Sequence, residues 1–424
     1  MIGNAIAAIL LLILIFIGVK DWKNGAVFYI IFSMISPHIH LSDVILSFEI
    51  VSFFPFIGIL LIKNRKIFTL YSKWKHRQLL WIYVLLVFIS SLLSMISNSV
   101  NFPFIALFGH VRVVFIIYVL QALYEKDPSS QIDKIITPVL FINTLVAIVQ
   151  LLIPNSVELF YDFYYKASLT PLKEVLRIGY FNRAYGTFGT PVSLGVFSLF
   201  SFAMYLGFYF EKRPVKLLVI KLLLSAIIGV MALSKTAIIG IPVMLILGFV
   251  LSLTGVIRLN NKKIFVIPFI LTGVGYILTR ILMKLNLTIV HYLRFLYKPF
   301  DALSSRYNTD SGILTGTYEV ISENLIFGVG PNEVNGAFLG DSMYIVVLYT
   351  TGILGILVYF GIIASAMINV IRKRRTIAIF SGVAFLLAGL AAPVHINKIS
   401  AVFIAYLFSN AEIRKITRVN EADQ

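Results

Sequence analysis

Apolar stretches long enough to cross a lipid bilayer recur along nearly the whole chain, and no other feature constrains its fold as strongly. They fall at roughly 2–19, 41–62, 79–97, 104–124, 135–153, 190–210, 215–233, 236–257, 264–282, 341–364, 377–392 and 394–410. About 20 apolar residues in helical form cover the roughly 30 Å hydrocarbon layer. A shorter run at 25–36 ends at Pro37. It is read as a crossing because the basic segments on either side of it otherwise fall on opposite faces of the membrane. The expectation is an all-α polytopic membrane protein of about 13 transmembrane helices (12–14), forming one integral membrane domain over residues 1–424. The first run lacks a small-residue cleavage site and is read as the first span, not as a removable signal.

Composition supports this class. Hydrophobic residues make up 59% of the 424 and charged residues only 13%. A soluble domain carries about 25% charged residues. So few charges cannot cover a soluble surface, and the same numbers exclude a disordered chain or a coiled coil. Cysteine is absent, which removes disulfides and thiolate metal sites.

The net charge of +17 would suit a nucleic-acid partner, but its placement has another cause. Counted by alternate loops, one face collects basic clusters at 20–23, 63–77, 126–134, 212–216, 258–263, 372–375 and 414–418. Those loops hold 23 basic and 8 acidic residues, a net +15 of the total +17. Cytoplasmic loops carry this excess of Lys and Arg. The N-terminus is therefore expected outside and the C-terminus in the cytoplasm, with no nucleic acid as partner.

Two external connections are long, about 154–189 and 284–340. Both are rich in aromatic residues and carry charges of both signs, unlike flexible linkers. In the second, Leu314, Tyr318, Ile321 and Leu325 are spaced 4, 3 and 4 apart, which predicts a helix with one apolar face lying on the membrane surface. Asp310 and Ser311 can cap its start, and Gly328, Gly330 and Pro331 stop it. In the first, Thr170-Pro171 is an N-cap pair for a short interfacial helix ended by Gly179.

No phosphate loop, dinucleotide fingerprint or zinc-type histidine spacing occurs. His38 and His40 sit two apart in a short turn, a weak metal signal, and no metal ligand set is assigned. The expected outer face carries Arg177, Arg183, Arg280, Arg294 and Arg306. Arginines there serve either as interfacial anchors or as ligands of an anionic substrate. Arg183 lies in Asn182-Arg183-Ala184-Tyr185-Gly186-Thr187-Phe188-Gly189-Thr190-Pro191, whose glycines and proline predict a re-entrant turn before a span. Lys235 lies in the turn Ser234-Lys235-Thr236. Arg112 is in mid-span, where a charge costs about 2.5–3.5 kcal/mol on insertion scales. It is either functional or paired with Asp43 or Glu49. Asp341 opens a late span and is either an N-cap or a proton acceptor.

These segments resemble the O-antigen polymerase and O-antigen ligase superfamily. Arg183-Ala-Tyr-Gly-Thr-Phe-Gly-Thr-Pro191 is similar to its R-x-x-G-T-F-x-x-P turn, and Ser234-Lys235-Thr236-Ala237 to its S-R/K-x-A turn. Ser305-Arg306, Glu319, Ile326-Phe-Gly-Val-Gly330 and Asp341-Ser-x-Tyr344 followed by Gly352-Ile-Leu-Gly355 resemble its long external loop and the next helix. The motifs cover about 180–360 and the layout covers the whole chain. The resemblance implies a bacterial cell-membrane glycosyltransferase. Its donor and acceptor are glycans on undecaprenyl diphosphate, and it works by inverting transfer with no metal or cofactor. A flippase and a chain-length regulator are further expected partners, alongside membrane lipids. It implies Asp341, Arg306 and Arg183 as catalytic residues, with Lys235, Arg112, Arg294, Arg177, Tyr185 and Glu319 around the lipid diphosphate and sugars. Tyr307 and Tyr318 are further candidates for stacking on sugar rings. Ligases of the superfamily carry histidine where Asp341 stands, which favours repeat-unit polymerase over ligase. A lipid-linked oligosaccharide flippase or carrier is the alternative from another class. Carriers show paired repeats and broken helices, and the sequence shows neither clearly.

Overall fold

A computed structural model of the chain describes residues 2–41, 44–68, 75–125, 127–153, 156, 160, 163–164, 177–178, 181–255, 314–334 and 342–412. Thirteen α-helices occur among them: α1 (Ile2–Lys20), α2 (Trp22–Ile35), α3 (Phe48–Asn64), α4 (Lys75–Ser97), α5 (Phe104–Tyr124), α6 (Pro128–Leu152), α7 (Pro191–Phe210), α8 (Leu218–Met231), α9 (Lys235–Leu253), α10 (Thr315–Glu323), α11 (Met343–Arg372), α12 (Thr376–Gly389) and α13 (Lys398–Glu412). Every expected span except 264–282, which lies outside the described residues, falls on one of these helices. Seven of them, α1, α4, α5, α6, α7, α9 and α11, are long and apolar enough to cross a membrane. The architecture is that of an all-α, multi-pass membrane protein.

Helix ends follow local chemistry. Asp21 accepts from Lys23 N to start α2, and Asp127 accepts from Ser130 N with Pro128 in the first turn of α6. That Asp-Pro start places the first residue of α6 at 128, ahead of the apolar run expected from 135. α2 stops at Ser36-Pro37, as the proline requires. The span expected from 41 begins only at Phe48. His38–Leu41 (β1) instead pairs antiparallel with Val44–Ser47 (β2). A second ribbon pairs Arg177–Ile178 (β3) with Phe181–Asn182 (β4).

α7 is the hub of the bundle and is almost wholly buried. It packs on α8, α9 and α12, while α13 packs on α5 and α4 on α11. Lipid chains are as apolar as leucine, so tight packing must come from small residues that let backbones approach. A Cβ on Gly207 of α7 would come within 2.7 Å of Ile377 Cα on α12. One on Gly195 would come within 1.9 Å of Ser234 Oγ, and one on Gly229 of α8 within 2.4 Å of Ser198 Oγ. Ion pairs among the described residues also join helices in the interior. Arg112 Nε lies 2.8 Å from Glu49 Oε1, without the alignment of a hydrogen bond, and Lys221 Nζ donates to Asp133 Oδ1 at 2.8 Å.

Candidate functional site

Two irregular turns carry the sequence motifs, and each is held by partners remote in sequence. The first runs from Arg183 to Thr190. Gly186 (φ +58°) and Gly189 (φ +77°) bend it through conformations that side chains resist. Two amides of α6 clamp it. Gln150 Oε1 accepts from Tyr185 N at 3.0 Å and Gly186 N at 2.9 Å, and its Nε2 donates to Gly186 O at 3.1 Å. Asn143 Oδ1 accepts from Thr187 N at 2.8 Å, and Thr187 Oγ1 donates to Met34 O at 3.0 Å. A side chain at Gly186 would meet Asn143 Oδ1 at 2.2 Å. Thr190 then caps α7 through Ser193 N, with Pro191 in its first turn. The end of α2 also receives Tyr164, whose hydroxyl donates to Ile35 O at 3.1 Å. Burial pushes that phenol up to about 12, so it is a neutral donor.

The same turn is fastened to the loop between α8 and α9. Ala184 N donates to Met231 O at 3.0 Å, and Arg183 Nε donates to Ala232 O at 3.1 Å. Arg183 is buried, with its guanidinium against the carbonyl end of α8, where the helix dipole is negative. Lys235 is exposed at the first residue of α9. The turn expected at 234–236 is therefore Ala232–Ser234, with Lys235 already helical. Tyr185 is fully buried, so the expected stacking on a sugar ring has no free face to use in this conformation.

The second turn, Leu325–Asn332, docks on a break in α11. Gly352 has φ +62° and ψ −162° inside that helix, which interrupts its hydrogen-bond ladder. The freed groups are satisfied from outside the helix. Val329 N donates to Tyr349 O at 3.0 Å, Gly330 N to Thr350 O at 2.9 Å, and Ile353 N to Leu325 O at 2.9 Å. Tyr349 Oη donates to Asn332 O and accepts from Val334 N. Gly330 lies against the Ser91 backbone of α4, where a Cβ would come within 3.1 Å of Ser91 N. Ser90 Oγ donates to Phe327 O. The sequence reading found no broken helix, because a single glycine in an apolar run looks like any other.

α10 forms as the spacing predicts, with two corrections. It starts at Thr315 after Leu314, which makes no side-chain cap, while Asp310 and Ser311 lie outside the described residues. Its buried face is Leu314, Thr317, Val320 and Ile321, with Tyr318 half-buried and Leu325 exposed, because the helix ends at Glu323 and the 3.6-residue period stops there. Glu319 is exposed.

Of the remaining candidates, Arg112 faces Glu49, one of the two partners expected. Lys398 Nζ also approaches Glu49 Oε2, at 3.5 Å. One buried carboxylate thus meets two cations. Lys398 also donates to Ser33 O, beside the Met34 carbonyl that holds Thr187. Lys398 lies within the run expected as a span at 394–410, and its partner is more than 300 residues away along the chain. Asp43, Arg280, Arg294, Arg306, Tyr307 and Asp341 lie outside the described residues, and only the backbone of Arg177 is described.

No group of three or more metal-binding side chains occurs among the described residues. Compared with known proteins, the chain matches no family model and no curated protein.

Proposed function

We propose that the chain is a membrane glycosyltransferase that polymerises lipid-diphosphate-linked oligosaccharide repeat units on the outer face of a bacterial cell membrane. One observation carries this reading. The motif segments are fastened through space: residues 183–184 to 231–233, just ahead of the Ser234–Ala237 motif, and 325–330 to 349–353. Irregular backbone at membrane depth is tolerated where it is buried in protein or lines a cavity, and both pairings are irregular. A chain that only anchored itself in lipid would have no use for them.

In this reaction an acceptor sugar hydroxyl attacks the anomeric carbon of the donor. The bond from that carbon to the diphosphate oxygen breaks, the lipid diphosphate leaves, and configuration inverts. The hydroxyl proton passes to a carboxylate, assigned to Asp341. Arg306 and Lys235 neutralise the leaving group, Arg306 through a bidentate fork. Arg183 shapes the turn next to Lys235, since its guanidinium is engaged with carbonyls of the α8–α9 loop. Arg177, Arg294 and Glu319 remain assigned to the substrate surroundings, and Arg112 to the Glu49 ion pair that supports the bundle beneath it.

A second reading, a carrier of lipid-linked oligosaccharide, is favoured by one feature, the break in α11 at Gly352. Discontinuous spanning helices are typical of transporters. Deleting the gene and displaying the glycans separates the readings. A single repeat unit left on lipid supports the polymerase. Long chains left on lipid indicate a ligase. No outward-facing lipid-linked unit indicates a carrier.

A further inference from the structure

A separate polar cluster lies in the bundle interior, in neither turn. Tyr83 of α4, His110 of α5, Tyr359 of α11 and His395 of the 3-10 turn Val394–Ile396 line one cavity. The histidines are 5% and 4% exposed, with ring centroids 5.8 Å apart. Tyr83 lies 5.9 Å from His110 and 6.3 Å from His395, and Tyr359 lies 5.9 Å from His395, centroid to centroid.

The hydrogen-bond roles follow from chemistry. His110 Nδ1 faces the Ala106 carbonyl at 3.0 Å, which can only accept. Nδ1 therefore carries the proton, and Nε2 offers a lone pair into the interior. His110 Nε2 and both ring nitrogens of His395 are buried without a protein partner. Buried polar atoms in native proteins are nearly always satisfied, and phenylalanine would fill the same space at no such cost. The cavity has room for one water-sized group.

We infer that this cavity is a binding site for a single uncharged hydrogen-bonding ligand, a water molecule, which donates to His110 Nε2 and accepts from the N–H of His395. A metal ion is disfavoured on two counts. The lining holds no carboxylate, and only two imidazoles face it, so a buried ionic charge would stay uncompensated. The nearest charged residues along the chain, Arg112 and Lys398, are themselves cationic and already share Glu49. The bridge ties the turn between α12 and α13 to α5. Tyr83 of the same cluster lies against Thr350 and Thr351, next to the break in α11. The inference does not depend on the proposed enzymatic activity.

The test uses the full chain in lipid nanodiscs. His110→Phe and His395→Phe are each expected to lower Tm, because each leaves the water and the other ring without a partner. The double variant removes both polar partners together and is expected to melt no lower than the worse single variant. Additive losses would overturn the bridge. So would a rise in the wild-type Tm on adding zinc or copper salts that both variants abolish, which would make the site metallic. Should the single variants fail to fold, histidine-labelled wild-type protein decides by solid-state NMR. Magnetisation transfer from water to both imidazoles, with His110 protonated at Nδ1, is expected. Absence of that transfer would overturn the inference.

Discussion

Gln150→Leu is the sharpest test of how the first turn is built. Leucine keeps the volume of the side chain and removes its two polar atoms. Three backbone groups lose their partner: Tyr185 N, Gly186 N and Gly186 O. Side-chain hydrogen bonds between membrane helices average about 0.6 kcal/mol, because the separated helices find other partners. The groups held by Gln150 are backbone atoms in an irregular, buried turn, where leaving each one unmade costs about 1–3 kcal/mol. Local relaxation recovers part of this, so the expected loss is about 3 kcal/mol, the low end of the three together. Gln150→Glu is the control. A carboxylate still accepts from both N–H groups but sets an oxygen against Gly186 O, so its loss falls between wild type and Leu. The measurement is thermal melting of the purified protein in one detergent, with glycan polymer from cells as a second readout. The expected order is wild type, Glu, Leu. A Leu variant that melts within 1 °C of wild type refutes the claim that Gln150 holds the turn.

Glu49→Ala removes the carboxylate that Arg112 and Lys398 share and is expected to cost about 3–5 kcal/mol, while Glu49→Leu with Arg112→Met should recover much of that, as read by melting. Gly207→Val places a Cβ within 2.7 Å of the Ile377 backbone and is expected to destabilise by about 1–3 kcal/mol, visible as reduced yield of folded protein. Asp341→Asn separates two roles: a folded variant without polymer supports the proton acceptor, and a folded, fully active one supports a helix cap, since Asn caps about as well as Asp. Orientation is tested with single cysteines in a chain that has none: Ser322→Cys on exposed α10 should react with an impermeant thiol reagent in intact cells, and Lys212→Cys only after permeabilisation.

Much of the architecture was legible in the residues themselves. Hydropathy is a local sum, so a run such as Pro191–Phe210 announces a buried helix whatever it packs against. Asp21, Asp127 and Thr190 cap helices through backbone groups two or three residues away, local signals that the apolar runs alone do not mark. The pairing of β1 with β2 was missed because Val44-Ile45-Leu46 leads directly into the apolar run of α3, and hydropathy does not distinguish a strand from a helix there.

What the sequence determined alone is the class of the molecule: many apolar helices, few charges, and polar motifs confined to a few turns. The tertiary structure decided which partner each described polar residue meets. Arg183 stands out in the sequence because its neighbours form a motif, and only the fold shows that its Nε meets the carbonyl of Ala232. Gly352 looked like one small residue in a long helix, yet the segment 325–330 supplies the hydrogen bonds that let the helix break there. Glu49 was one of two partners expected for Arg112, yet nothing local shows that Lys398 converges on it as well. The reason is physical. Burial in a bilayer depends on the residue and its near neighbours, whereas a buried hydrogen bond or ion pair needs a partner at about 3 Å, which can come from anywhere along the chain.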